Sequence, residues 1–433
     1  MVRVLIVTAG SWGDVAPYTG LGVRLRAAGH EVALATHGCF RDAVSAHGLE
    51  FRCLPVDPRQ ELASAAGQGL ARAVSPTVAM ARLTRMARAF MPRLAAGVAD
   101  AVRQGADVLL SSTITDPVCA TLGEALRLPA IGVYLQPIQP TAAFPPLVTR
   151  GRSWGPVGNR LAARALWAGT ERLFAPAVGQ LRRDLRLPPR RFGGPLGLRH
   201  GRTVLHGFSP RIVPRPTDWP EGHQVCGYWW PATRPGWQPD PRLLDFLAAG
   251  PPPVFVGFGS FVAADADRLS SLLTASLRRA KVRGIIQSGW SGLHGEGDDV
   301  ITVSEVPHAW LFPKTAAVVH HAGAGTTAAG LRAGIPAVAV PVQLDQHFWA
   351  ARLHALGVSP PPLRYQRLTA QQLAHAIVSA TRDPAMRTRS RDLAAGLAVE
   401  DGAQPVLTAL ERLAWRPSLP GPASSGAAGR RRV

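Results

Sequence analysis

The residues best suited to chemistry lie in one stretch of the second half of the chain, EVPHAWLFPKTAAVVHHAGAGTTAAGLRAGIPAVAVPVQLDQHFWAARL. An apolar run at residues 316–319 predicts a buried parallel strand. His320 and His321 follow this strand, then a Gly-Ala-Gly turn, and then Thr326 and Thr327 at the start of a predicted helix. Such a turn favours a phosphate group, because free backbone N–H groups and the helix dipole both attract negative charge.

The two glycines of this turn, Gly323 and Gly325, carry no Cβ and so let the backbone approach a ligand closely. A second apolar strand, predicted at 337–341, is followed by Asp345 and Gln346. Hydrogen-bond acceptors and donors are therefore expected beside the phosphate site, at the carboxyl end of the next strand. A diphosphate attached to a hydroxyl-rich group, as in a nucleotide sugar, matches this arrangement.

Length and composition indicate a large α/β protein. The chain has 433 residues, of which 46% are hydrophobic and 18% charged, and this is enough for two or three domains with their own cores. No stretch reaches the roughly 18 uninterrupted apolar residues of a membrane helix. The opening MVRVLIVTAG has too short an apolar run for a signal peptide and predicts a first strand, so we expect a cytoplasmic protein.

The formal net charge is +20, and arginine supplies nearly all of the positive charge because lysine occurs only at Lys281 and Lys314. The arginines are scattered along the chain, except for Arg430, Arg431 and Arg432 in the tail. This argues against specific nucleic-acid binding and leaves a weak contact with anionic membrane surfaces open. The cysteines are widely spaced and form no C-x-x-C pair, so neither a disulfide framework nor a metal site is indicated.

Alternating strand and helix patterns predict two α/β halves. In the first half, a strand at 3–8, a helix at 15–28 and a strand at 31–36 form a right-handed βαβ unit. The segment 136–167 is rich in Pro, Gly and aromatic residues, and we interpret it as an irregular surface segment that shapes a pocket. Further strands are predicted at 108–111, 130–135, 254–257, 284–287, 300–303, 316–319 and 337–340.

Three motifs resemble a known family: HHAGAGTTAAGLRAGIPAVAVPVQLDQHFWAARL, GSWGDVAPYTGLGVRLRAAGHEV and VGFGS. The chain is similar to the family 1 glycosyltransferases of bacteria and fungi that transfer sugar from UDP- or TDP-sugars to sterols, polyketides and glycopeptide antibiotics. The resemblance covers roughly residues 1–60 and 220–415. It implies the GT-B fold, an α/β architecture in which two Rossmann-like domains face each other across a cleft.

This resemblance sets the expected domain organisation. Residues 1–215 are expected to bind the acceptor, and residues 251–398 are expected to bind the nucleotide sugar. The proline-rich segment 216–250 is interpreted as the connection between them. A helix at 399–416 is expected to pack back toward the first domain, and the tail 417–433 is expected to be disordered.

The resemblance also implies roles for individual residues. Asp14 matches the general base that takes the proton of the acceptor hydroxyl, and Trp12 and Phe144 are expected in the acceptor pocket. Neither a metal ion nor a cofactor other than the nucleotide sugar is implied. The donor residues implied are Ser260, His321, Gly323, Gly325 and Thr326 for the diphosphate, Val306 and Trp310 for the nucleobase, and Asp345 and Gln346 for the sugar.

Elementary chemistry supports these roles and leaves alternatives beside them. A carboxylate in a partly desolvated cleft is a stronger base than one in water. A base and a diphosphate on opposite domains approach the sugar from opposite faces, which predicts inversion at the anomeric carbon. Asp14 also suits a helix N-cap, and His320 and His321 cannot both point at one ligand. The acids of Asp265-Ala266-Asp267 resemble a metal-binding motif but stand where a helix is predicted to begin.

Two other functions compete. The first is a nicotinamide dehydrogenase, because Gly323 to Ala328 fits G-x-G-x-x-A after a strand and Asp345 lies about 20 residues farther on. The paired histidines crowd the pyrophosphate approach, and Asp345 falls several residues past its strand, so we rank this function lower. The second is a helper protein of the same fold without catalytic turnover, which the presence of both Asp14 and His321 argues against.

Overall fold

The computed structural model of the chain describes residues 1–56, 76–149, 151–189, 202–295 and 297–414. The predicted disordered tail 417–433 lies outside these residues.

The first half of the chain folds around one parallel sheet. Its strands β1 to β7 are Arg3–Val7, Glu31–His37, Glu50–Leu54, Val108–Ser111, Ala130–Tyr134, Val204–His206 and His223–Val225. Its helices α1 to α5 are Trp12–Ala27, Arg41–Ser45, Pro76–Arg103, Asp116–Leu126 and Gly155–Asp184. The strand order is β3-β2-β1-β4-β5-β6-β7. The neighbouring strands are parallel, so all their carboxyl ends lie at one edge of the sheet.

The second half repeats this architecture on a smaller scale. Its strands β8 to β12 are Val254–Gly257, Gly284–Gln287, Val300–Val303, Ala317–His320 and Ala337–Ala339. Its helices α6 to α13 are Pro241–Ala248, Ala266–Ala280, His308–Leu311, Ala324–Ala333, Gln346–Ala355, Ala370–Arg382, Pro384–Ala398 and Gln404–Ala414. The order is β10-β9-β8-β11-β12, again with parallel pairs. The predicted pair of Rossmann-like domains is therefore confirmed.

Each sheet has one point where the strand order changes direction, between β1 and β4 in the first sheet and between β8 and β11 in the second. Ligands of open α/β sheets bind in the crevice at this point, beyond the carboxyl ends of the strands. The loop after β1 leads to Asp14, and the loop after β11 is the glycine turn. The topology therefore places both chemical motifs at the ligand-binding edges of their sheets.

Two predictions from composition differ from the structure. Residues 155–167, part of the predicted irregular segment, belong to α5 instead. Pro156 stands in the first turn of that helix, where a proline costs no hydrogen bond and favours the helical φ. The boundary predicted at 215 falls between β6 and β7, and β7 pairs with β6, so the first sheet extends into the proline-rich segment.

An apolar cluster joins the two halves. Trp349 of α10 is 1% exposed and packs edge-on against Phe208, with ring centroids 6.2 Å apart. Other buried members from the first half are Leu147, Ile212, Val213, Trp219 and Tyr228, and from the second half Ala322, Ala328, Leu331, Phe348 and Leu353. This cluster fixes the second domain against the first, so the two sheet edges keep a defined relation.

The last helix, α13, belongs to the core of the first domain. Val406 and Leu410 are buried among residues of β1, α1 and β5. The buried Trp229 donates its indole N–H to the Gly402 carbonyl at 2.7 Å, and Arg24 of α1 forms an ion pair with Asp401 at 2.7 Å. The end of the described chain is therefore tied to its beginning.

Gly20 of α1 provides a test of this packing. A Cβ at Gly20 would lie 1.6 Å from the carbonyl oxygen of Trp230, so the helix and the connection between the domains touch backbone to backbone. We expect Gly20→Ala to lower the free energy of unfolding by about 1–3 kcal/mol through overpacking, measured by denaturant unfolding. Gly169→Ala in α5 is the control, because a Cβ there meets nothing within 4 Å and should stabilise the helix by about 0.4–1 kcal/mol. An equal change in the free energy of unfolding of the two variants would contradict the close approach of Gly20 to the Trp230 backbone.

Candidate functional site

Asp14 is the third residue of α1, which begins at Trp12 rather than at the predicted residue 15. Its Oδ2 accepts hydrogen bonds from the Ser11 backbone N–H at 2.9 Å and from the Ser11 hydroxyl at 3.1 Å. Asp14 therefore stabilises the start of the helix, in agreement with the alternative role in helix capping considered from the sequence. The same two bonds fix the orientation of the carboxylate, and Oδ1 takes part in neither.

The surroundings make this carboxylate more basic than an ordinary one. Asp14 is half-buried, and burial raises its pKa, while hydrogen bonds from Ser11 and from the Gln136 side chain lower it. Burial is the largest of these effects and determines the direction. Gln136 follows β5, so the carboxyl ends of two strands of the first sheet converge on Asp14.

His37 supports the loop that carries Asp14, and the sequence interpretation overlooked it. This buried side chain at the end of β2 accepts the Gly10 N–H at Nε2 (2.9 Å), and its Nδ1 lies 2.7 Å from the Val56 carbonyl. These two contacts assign the proton to Nδ1, so the ring is neutral and its Nε2 is occupied. His37 is therefore a positioning residue for the loop, and its ring nitrogens are not free to relay a proton from Asp14.

The glycine turn is built from one strained residue and one buried histidine. Ala322 has a φ of +60°, in the left-handed region that side chains other than glycine rarely adopt. The buried His320 accepts the Ala322 N–H at its Nδ1, 3.1 Å away. Burial lowers the pKa of His320 to about 3, so this ring is neutral. His320 thus stabilises the turn from inside the protein, and His321 stands on the ligand side.

The side chain of His321 lies between two glycine turns. A Cβ at Gly259 would come within 3.2 Å of this ring, and a Cβ at Gly323 within 2.5 Å of its Nε2. Helix α9 starts at Ala324, two residues earlier than predicted, and its first hydrogen bond runs from the Thr327 N–H to the Gly323 carbonyl at 2.9 Å. The amides before Thr327 precede this bond and form the N-terminal end of the helix dipole.

His321 acts as a neutral group. Burial lowers its pKa to about 4, and the Gly257 carbonyl opposes this shift. His308, which the sequence interpretation did not select, stacks on Phe312 with ring centroids 4.3 Å apart, and burial together with His321 lowers its pKa to about 4. Without a ligand, the turn therefore presents N–H dipoles and a helix N-terminus but no histidine cation.

The residues predicted to hold the sugar precede and begin α10. Asp345 accepts the indole N–H of Trp349 at 2.9 Å, and burial raises its pKa to about 6, with the charge of Asp14 contributing in the same direction. Gln346 is 8% exposed and its Oε1 accepts the backbone N–H groups of Val342 and Gln343 at 2.8 and 3.0 Å. The Gln346 carbonyl thus holds the loop, and only its amide N–H groups remain as donors for a ligand.

The remaining predicted residues lie around these two turns. Ser260 is half-buried in the turn after β8, next to the glycine that contacts His321. Val306 lines a cavity of about 550 Å³ between β10 and residues 237–243. The Trp310 ring is contacted by Trp237, with centroids 5.3 Å apart, and by the Lys314 ammonium 4.2 Å from its centroid. Because these neighbours cover part of the Trp310 ring, less of its surface is accessible to a nucleobase than the sequence suggested.

The two predicted acceptor-pocket residues differ in exposure. Trp12 is 37% exposed beside Asp14 and packs on Phe40, with ring centroids 5.3 Å apart. Phe144 is half-buried and packs on Phe348 of the interdomain cluster at 5.2 Å. Trp12 is therefore open to a ligand, whereas Phe144 mainly joins the domains.

The two halves of the site meet across the cleft. Helix α1 contacts α9, and the charge of Asp14 contributes to the raised pKa of Asp345. The structure therefore brings together the Asp14 carboxylate from the first domain with the Asp345 carboxylate and the N-terminal end of α9 from the second. Asp265 caps α7 through the Arg268 N–H at 2.9 Å, as expected from its place at a helix start. Among the described residues, no cluster of His, Cys, Asp and Glu could hold a metal ion.

Two family models match this chain. Residues 4–110 match the glycosyltransferase family 28 N-terminal domain, and residues 287–413 match the erythromycin biosynthesis protein CIII-like, C-terminal domain. Solved structures share the fold over nearly the whole chain. The glycosyltransferase SnogD of Streptomyces nogalater has a TM-score of 0.67 at 19% identity and covers 95% of this chain and 99% of its own. The fold and site thus define a GT-B glycosyltransferase.

A second solved structure, the glycosyltransferase VinC in complex with dTDP, has a TM-score of 0.64 at 19% identity and covers 96% of this chain and 100% of its own. Curated relatives are closer in sequence. O-mycaminosyltylonolide 6-deoxyallosyltransferase of Streptomyces fradiae is 36% identical over 437 residues, 95% of this chain and 98% of that protein. A sterol 3-beta-glucosyltransferase of Arabidopsis thaliana is 32% identical over 93% of this chain, which spans 64% of that longer protein. The chain belongs to the glycosyltransferase family of these antibiotic and sterol enzymes.

His37 gives a prediction for the site. His37→Ala would leave the half-buried Gly10 N–H and the buried Val56 carbonyl without this partner, and an unsatisfied buried group costs about 1–3 kcal/mol. We expect a lower unfolding free energy and a lower rate of sugar transfer, because the loop to Asp14 loosens. Denaturant unfolding and initial rates measure the two effects. His294→Ala, at an exposed position, should change neither, and a fully active, fully stable His37→Ala protein would refute the role of His37.

Proposed function

We propose that this protein is an inverting glycosyltransferase that moves a hexose or deoxyhexose from a UDP- or dTDP-sugar to a hydroxyl of a hydrophobic natural product. The acceptor class is a polyketide, macrolide, sterol or glycolipid. The observation that carries the proposal is the meeting of Asp14 with Asp345 and the glycine turn across one cleft. A base and an anion site on opposite domains suit a transfer reaction between two bound substrates.

Asp14 is the proposed general base. An acceptor hydroxyl loses its proton to the carboxylate as its oxygen attacks the anomeric carbon. The raised pKa makes the Asp14 carboxylate a stronger base than one in water, and the bonds from Ser11 hold it in place. A positioned base of this kind typically contributes about 10²–10⁴-fold in rate.

The glycine turn and the start of α9 are proposed to bind the diphosphate. Negative charge grows on the diphosphate as it leaves the sugar, so N–H groups aimed at it stabilise the transition state more than the ground state. The proposed donors are the first-turn amides of α9, with Gly325 and Thr326, and the neutral ring of His321. Ser260, in the neighbouring turn, is proposed to assist. The proposal involves no metal ion, since these groups meet the negative charge.

The arrangement of base and leaving group supports inversion. The acceptor oxygen comes from the side of Asp14 in the first domain, and the diphosphate departs toward α9 in the second. Asp345 is proposed to accept a hydrogen bond from a sugar hydroxyl between them, and Gln346 is proposed to donate one from its amide. With attack and departure on opposite faces of the sugar, direct displacement inverts the anomeric centre.

The relatives support the substrate classes. The Streptomyces fradiae enzyme is named for transfer of a 6-deoxyallosyl group and the Arabidopsis enzyme for glucosyl transfer to a sterol. A similar fold has been solved with dTDP. Trp12, exposed beside Asp14, adds an apolar surface where an acceptor ring would lie.

Asp14→Asn tests the base. We expect donor binding to stay within about twofold while the transfer rate falls by roughly 10²–10⁴-fold, because only proton removal is lost. Calorimetric titration with UDP or dTDP and initial rates measure the two quantities. Asp42→Asn, at an exposed acid elsewhere in the first domain, is the matched control. Near-normal transfer by Asp14→Asn would mean that another group is the base.

The pH profile of the wild-type enzyme supplies a second readout of the same role. The base works in its deprotonated form, so activity falls as pH drops through its pKa. Because burial raises the pKa of Asp14, the acid limb of kcat/KM should lie above the value of about 4 for an ordinary aspartate. NMR of the product at the anomeric carbon tests inversion, and a retained configuration would rule out direct displacement.

A donor panel tests the second domain and the competing functions. We expect UDP or dTDP, but not NAD, to raise the melting temperature, and His321→Ala to reduce that shift, because the diphosphate loses one N–H donor. Calorimetry should show donor affinity lowered by about tenfold, the effect of one lost hydrogen bond to a charged group. His294→Ala is the control. A shift with NAD alone would favour the dehydrogenase, and donor binding without transfer to any acceptor would favour a helper protein.

A further inference from the structure

Helix α5 presents a row of apolar side chains to solvent. Trp154, Val157 and Leu161 are 47%, 74% and 59% exposed, and Ala165 is exposed as well. Val157, Leu161 and Ala165 are spaced four residues apart and so lie on one face of α5, and Trp154 is the residue that precedes the helix. The solvent-facing side of a surface helix is usually polar. An exposed apolar row therefore indicates a surface that contacts a partner.

Arginines border the row without acidic residues between them. Arg152 lies with its guanidinium 6.0 Å from the Trp154 ring centroid, and Arg160 and Arg164 follow along one flank of the helix. Arg160 forms a long ion pair with Asp218, 3.9 Å from Nε to Oδ2, and Asp218 also accepts hydrogen bonds from Thr141 and Ala142. Residues 155–170 include no Asp or Glu, in a chain of net charge +20. The surface is therefore both apolar and positively charged.

The row lies close to the mouth of the cleft. The turn Leu147–Thr149, just before α5, packs against α10, whose first residue is Gln346 of the proposed sugar site. A Cβ at Gly151 would lie 3.9 Å from Ala351 of the same helix. A surface bound along the start of α5 would therefore stand next to the entrance for the acceptor.

We propose that this face of α5 docks on a phospholipid membrane that contains anionic lipids. An interfacial helix buries tryptophan and aliphatic side chains a short distance into the lipid while its arginines meet the headgroup phosphates. The row matches that pattern in residue type and in charge. Docking would bring the cleft close to acceptors that partition into lipid. The docking itself does not depend on sugar transfer.

A second copy of the chain fits this surface less well. Each partner of a stable protein complex buries roughly 800 Å². Four partly exposed side chains, only one of them aromatic, offer much less. The arginines would also face the arginines of the copy in a two-fold dimer, which repels the partners.

The test is sedimentation of the purified full-length protein with sucrose-loaded vesicles, without donor or acceptor. We expect it to bind vesicles of phosphatidylcholine with phosphatidylglycerol and to bind pure phosphatidylcholine much less. Val157→Asp should reduce the partition coefficient by about tenfold or more, because an apolar group becomes an anion at the lipid contact. Val399→Asp is the matched control, since Val399 is 79% exposed directly after α12, far along the chain from α5, and undergoes the same change. It should reduce binding less than twofold.

Three results would overturn the proposal. The wild-type protein could fail to sediment with anionic vesicles, or Val157→Asp and Val399→Asp could weaken binding equally, which would reduce the effect to net charge. Analytical ultracentrifugation could also show a dimer that Val157→Asp dissociates, which would make the face a protein interface. Circular dichroism of each variant confirms folding. None of these results bears on Asp14 or the donor site, so the proposed transfer reaction is tested separately.

Discussion

The chemistry of this protein depends on one packing constraint, the face-to-face arrangement of the carboxyl edges of two parallel sheets. Neither domain holds the whole of the proposed site, because Asp14 follows a strand of the first sheet and the glycine turn follows a strand of the second. The apolar cluster around Trp349 and Phe208 keeps these edges in register. A shift of about 1 Å between a base and its target can cost a large part of a rate, so the proposed reaction depends on this cluster as the core does.

The polar side chains at the site form hydrogen bonds that stabilise the fold, and their surroundings also determine their reactivity. Asp14 binds the start of α1 and is thereby oriented, while burial makes it more basic. Gln346 holds its loop through Oε1 and keeps only its amide for a ligand. The buried histidines are neutral because burial lowers their pKa values, which spares the site a cost of uncompensated charge before the donor arrives.

The sequence predicted the fold class and the two chemical motifs well, because strand periodicity and a glycine turn are local signals. The support of the site was harder to predict, since it comes from long-range contacts. His37 reaches Gly10 from 27 positions away, and Gln136 reaches Asp14 from another strand. A polar residue directly after a predicted buried strand was the available signal for both. Strand β7 was missed because three residues among prolines show no period. The start of α5 was missed because the Pro, Gly and aromatic content of residues 136–167 was interpreted as an irregular segment, although Pro156 suits the first turn of a helix.

The return of α13 to the first domain has a consequence for biogenesis. Chain synthesis runs from the amino end, and domains often fold as they emerge. Here the hydrophobic interior around β1 stays incomplete until Val406 and Leu410 have left the ribosome. The core of the first domain therefore stays incomplete while the whole second domain is translated. Correct folding of such a nascent chain depends on a short delay, or on shielding of the exposed hydrophobic core during the delay.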